Sequence, residues 1–101
     1  MDKKYEHITE MENILVSQQK LINKLDDVLQ EINAGHNDFK KLIEYYYSPQ
    51  REQDLKDDEN NLIPKDLHRG VLSEDEIYNL LVFSHQSALD MIETALEMLR
   101  R

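Results

Sequence analysis

The chain has no cysteine, two glycines, two prolines and no Trp among its 101 residues. Without cysteine there is no disulfide and no thiolate metal site, a usage that fits a reducing cytosol. So few turn-forming residues, with 33% charged residues, speak against a β-rich fold. Bases are scarce as well: twelve Lys and Arg stand against twenty-one Asp and Glu, a formal charge of −9. Phosphates would be repelled, so direct nucleic-acid or anionic-membrane binding is not expected. No uninterrupted apolar stretch could span a bilayer, and Met1 to His7 lacks the apolar run of a signal peptide. The expectation is a cytoplasmic protein with one helical domain over 1–101.

What the chain does have is periodicity. From Ile8 to Tyr46 apolar residues recur at alternating steps of three and four. One seam reads Ile8, Leu15, Ile22, Leu29, His36, Ile43, and a second reads Met11, Gln18, Leu25, Ile32, Phe39, Tyr46. A third row (Ile14, Leu21, Val28, Gly35, Leu42) widens the stripe to that of a bundle helix. Gly35 is the one place where it invites a break. Because the heptad phase continues unchanged across it, the pattern predicts a single helix over about 4–46, at most bent at Gly35.

Residues 48–72 differ in kind. Ser48-Pro49 is an N-cap and first-turn pair for a short helix through about Asp58, stopped by Glu59-Asn60-Asn61 and Pro64. Gly70 is expected to supply a backbone angle that other residues resist. Between Gln50 and Glu76 nine acids face four bases, a net of −5. Glu52, Asp54, Asp57, Asp58, Glu59, Glu74 and Asp75 form a candidate acidic surface for a basic partner, such as a nucleic-acid-binding enzyme. A solvated connector is the simpler reading of the same residues.

Ser73 and Glu76 have the spacing of a capping box, with Leu72 and Ile77 as the staple. A C-terminal helix over about 74–100 follows, with a seam of Tyr78, Leu81, His85, Ala88, Ile92, Ala95 and Leu99. The expected architecture is therefore all-α. The long N-terminal helix runs antiparallel to the C-terminal one, and an acidic connector joins them into a helical hairpin or bundle.

The stretch Tyr45-Tyr46-Tyr47-Ser48, Asp54, and Pro64-Lys65-Asp66-Leu67-His68-Arg69-Gly70-Val71-Leu72-Ser73-Glu74-Asp75 resembles the family known as domain of unknown function 4298. A Trp often stands in that family where this chain has Arg51. The resemblance implies a small helical bacterial protein, largely of Firmicutes, and implies no chemistry.

No Ser-His-Asp spacing, phosphate loop or paired-carboxylate motif stands out, so no enzyme and no cofactor are expected. The acids at 54–59 lack the alternating oxygens, central Gly and terminal Glu of a calcium loop. In an antiparallel pair, with Tyr46 level with Glu74 or Asp75, His36 falls level with His85 and makes a polar core layer. That layer has no third ligand for a metal. The same register leaves Ile8, Met11, Ile14 and Leu15 on an uncovered overhang, which predicts self-association, most simply a homodimer. Two functions follow as expectations. One is a self-associating protein–protein interaction module. The other is an acidic mimic of nucleic acid that inhibits a defence or nucleic-acid enzyme.

Overall fold

The computed structural model of the protein describes residues 3–101. Among them it is all-helical, with four α-helices and no strand: α1 Glu6–Ala34, α2 His36–Tyr46, α3 Pro49–Glu59 and α4 Glu76–Leu99. Two 3₁₀ turns, Lys3–Tyr5 and Gly70–Leu72, precede α1 and α4. The chain divides into two compact units, Met1–Lys40 and Lys41–Arg101, with the boundary inside α2.

The first unit is built on α1, 29 residues long, or about 43 Å at the standard rise. The run expected over 4–46 is interrupted at one residue. Gly35 takes φ −87° and ψ 0°, flatter than a helical residue. Its N–H still donates to Glu31 O at 2.9 Å, and its carbonyl still accepts from the Phe39 N–H at 3.0 Å. Helical bonding therefore enters and leaves the glycine, although its dihedrals divide the expected run into two helices.

In the second unit, Ser48 sits in the extended region and its Oγ accepts the Arg51 N–H at 3.2 Å, with Pro49 in the first turn. This is the N-cap expected from the sequence. The same hydroxyl donates to Tyr45 O at 2.7 Å and so joins the end of α2 to the start of α3. At the other end of α3, Asn61 adopts φ 57°, the one positive φ among the described non-glycine residues. Asn61 N–H bonds Asp58 O, and Leu62 N–H bonds Asp57 O. Together these make a Schellman motif that closes the helix where Asn60-Asn61 was expected to stop it.

The entry into α4 departs from expectation in three details. The helix begins at Glu76 rather than Glu74. Ser73 Oγ does accept the Glu76 N–H at 3.1 Å, but the reciprocal half of the capping box is missing. The Ser73 N–H donates instead to Gly70 O, closing the 3₁₀ turn. Gly70 itself has no positive φ, so the expected reason for a glycine there is wrong. The glycine gives room: a Cβ at position 70 would run into the Glu76 carboxylate, which lies against it. Ile77, one side of the expected staple, is 4% exposed and is the only buried residue described; Leu72 is half-buried.

Candidate functional site

The candidate residues lie on two surfaces, one in each unit. The first is the apolar stripe of α1. Ile8, Met11, Ile14 and Leu15 are 47–55% exposed, and the same face continues through Leu21, Ile22, Leu25, Val28 and Ile32, all exposed. Along it Leu15, Gln18, Gln19, Ile22 and Asn23 line an open hollow of about 480 Å³. The first four are spaced i, i+3, i+4 and i+7, one diamond on the helix surface. The sequence gives the stripe because three apolar positions per heptad return to one side of a 3.6-residue helix.

The second surface is the connector, where the acids stand in two groups. Asp54 is engaged on both oxygens: the Tyr45 hydroxyl donates to Oδ2 at 2.6 Å, and Gln50 Nε2 donates to Oδ1 at 2.8 Å. These two donors hold the Asp54 carboxyl below the usual carboxylate range, against a small opposing effect of burial. Tyr45 responds in the opposite sense. Burial first, then the hydrogen bond and charge of Asp54, push its hydroxyl up to about 12, with Arg51 opposing. Asp58 accepts from Arg69 Nη1 at 2.5 Å, and Asp57 accepts from Gln53 at 2.9 Å. Glu52, Glu59, Glu74 and Asp75 are exposed, and their side chains bond no other described residue. Of the seven candidate acids, four thus point to solvent unengaged and three are bound within the connector.

Arg51 holds this unit together, and the sequence reading did not assign it that role. From the first turn of α3 its Nε donates to Val71 O at 3.1 Å and its Nη2 to Ser73 O at 3.2 Å. Its guanidinium also lies 4.8 Å from the centre of the Tyr46 ring. One side chain thus ties the end of α2, the start of α3 and the turn leading into α4. No spacing within a single helix marks it. A planar cation can stack on Tyr46 and donate to two carbonyls at once.

Of the tyrosine run, Tyr45 and Tyr46 are half-buried and Tyr47 is 74% exposed, with its ring edge-on to Tyr46 at 4.9 Å. This is the division that three successive helical positions require. A groove of about 310 Å³ runs beside Tyr45 and Asp54, walled by Leu62, Ile63, Leu67 and Leu72. His68 and Arg69 also line it, and its hydroxyl–carboxylate pair, Tyr45 and Asp54, is bonded to itself. His36 opens α2 and His85 lies in the middle of α4; both are exposed. No group of three or more His, Asp or Glu side chains that could hold a metal ion occurs among the described residues. Nor is any described helix long and apolar enough to cross a membrane.

No curated protein and no solved structure is significantly similar to the chain. The pattern of the family described as domain of unknown function (DUF4298) matches residues 8–94, which takes in the α1 stripe, the connector and most of α4. The chain therefore belongs to the DUF4298 family.

Proposed function

We propose that this protein is a non-enzymatic protein–protein interaction module that acts as a self-associated helical assembly in the bacterial cytoplasm. One observation carries the reading: among the described residues only Ile77 is buried. A chain of this length can form one modest core, yet nine large apolar side chains on one face of α1 remain exposed. On α4, Tyr78, Leu80, Phe83, Ile92 and Leu99 remain exposed too. Each large apolar side chain left in water forgoes about 1.5–3 kcal/mol, so the stripes are stable only when another surface covers them. Association and folding are then one equilibrium.

The acidic connector supports the inhibitor reading less well. Asp54, Asp57 and Asp58, which would have to present their oxygens as phosphates do, bond Tyr45, Gln50, Gln53 and Arg69 of the same chain. Light scattering combined with circular dichroism across a dilution series tests the proposal. A mass of two or more chains, with helicity falling on dilution, is expected. A folded species near 12.0 kDa at every concentration would overturn it. Affinity capture at low and high salt separates the readings further. Partners lost at high salt would favour the acidic surface, and partners retained would favour apolar docking.

A further inference from the structure

We infer that the occupant of the α1 face is α1 of a second copy, with Gln18 of each chain seated against Gln18 of the other. The inference rests on the self-association proposed above and names its surface. The hollow bounded by Leu15, Gln18, Gln19 and Ile22 is a four-residue hole of the kind that receives one side chain of a facing helix in knobs-into-holes packing. Its walls are mixed, with Leu15 and Ile22 apolar and Gln18, Gln19 and Asn23 ending in amides.

The knob that fits such a hole has a carbonyl and an amine to exchange with those amides. Gln18 is that residue. It is the one polar side chain on the two inner seams of α1, it is exposed, and it bonds no other described residue. An apolar partner helix would bury Gln18 unsatisfied, whereas a second copy brings an identical carboxamide to the same level. Gln18 also lies near the middle of Glu6–Ala34. In a parallel pair the two-fold axis runs along the helices, so Gln18 meets Gln18 and the apolar seam residues above and below it, Met11 and Leu25 among them, meet their own copies.

The area agrees. The part of the nine large apolar side chains still exposed is on the order of 800 Å² per copy, so covering all of it reaches the per-partner area of a standard stable interface. A buried amide in an apolar seam fixes register and number of chains at some cost in stability, and Gln18 takes that role here.

The chain has no native cysteine, so a single introduced one reports cleanly. Gln18→Cys should be trapped largely as a covalent dimer by mild oxidation of the assembled protein, and Asn13→Cys, on the opposite side of the helix, should stay monomeric on a denaturing gel. In parallel, Gln18→Leu should keep the chain associated, raise its melting temperature and broaden its mass beyond the wild-type state. If the wild type is a dimer but the two cysteines cross-link alike, or only Asn13→Cys does, this face is wrong and self-association stands. If Gln18→Leu keeps the wild-type mass distribution, the role of the amide falls. A monomeric wild type removes both this inference and the proposed function.

Discussion

The Tyr45 hydroxyl and the Asp54 carboxylate, nine residues apart, meet at 2.6 Å where α2 hands over to α3. The pair stabilises the fold between two limits of pH. Asp54 is held below its ordinary value, so its contribution is present above the unfolded carboxylate pKa, about 3.9, and fades as pH falls through the folded value. Tyr45 is raised from 10.0 to about 12, so its contribution is present below pH 10 and fades as pH rises from there to about 12. Among five tyrosines, one should therefore ionise late in an ultraviolet titration, and Tyr45→Phe should remove that late step while lowering the melting temperature at neutral pH. A titration in which all the tyrosines ionise together would refute the link.

Arg51→Ala should lower stability by about 1–2 kcal/mol, through loss of its two carbonyl bonds and its stacking on Tyr46. Arg51→Lys should recover only part of the loss, because an ammonium cannot span Val71 O and Ser73 O in one plane. Denaturant melts at one fixed protein concentration separate this from any change in association. Hydrogen exchange should show the damage first at Ser73–Glu76, at the start of α4.

The two glycines should answer differently: Gly35 as the continuous helical pattern suggests, Gly70 not as its expected backbone angle would. Gly35→Ala should stabilise α1–α2 by up to about 1 kcal/mol. The new Cβ would stand 3.3 Å from Glu31 O, a contact that eases as position 35 turns toward regular helical angles. Gly70→Ala should change stability little, since what it displaces is the mobile end of Glu76 and not backbone. A cost of several kcal/mol at Gly70 would show that the turn needs more than room.

Asn61→Gly should lengthen the life of α3, because φ 57° costs a glycine nothing and the Schellman bonds are main-chain. The gain should be a few tenths to about 1 kcal/mol by thermal melting. Asn61→Val should destabilise by a similar or larger amount, since a β-branched residue resists that angle.

The all-helical class was legible because it depends on spacing within single helices: the α1 heptads, Ser48-Pro49, and Ser73 three residues before Glu76. Signals of that kind are local, and a chain with few long-range contacts is governed by them. The role of Arg51 was not legible. Its bonds reach 20 and 22 residues along the chain, and whether they form depends on the path of the 60–69 segment. The engagement of part of the acidic run is illegible for the same reason: counting charges does not reveal that Asp54, Asp57 and Asp58 face donors one turn away or across the turn. Gly70 was recognised as a position for glycine, yet the reason lay in a side chain six residues ahead.

Among the described residues only Ile77 is buried, and under the proposed self-association that sparse core sets what would happen in the cell when the protein is made in small amounts. Unassembled chains expose long apolar helices that proteases and chaperones recognise, so they are cleared, while assembled chains are spared. Abundance then rises more steeply than synthesis, with a threshold set by the association constant. Under that proposal a modest change in expression would act as a switch between almost none of the protein and a stable pool of it.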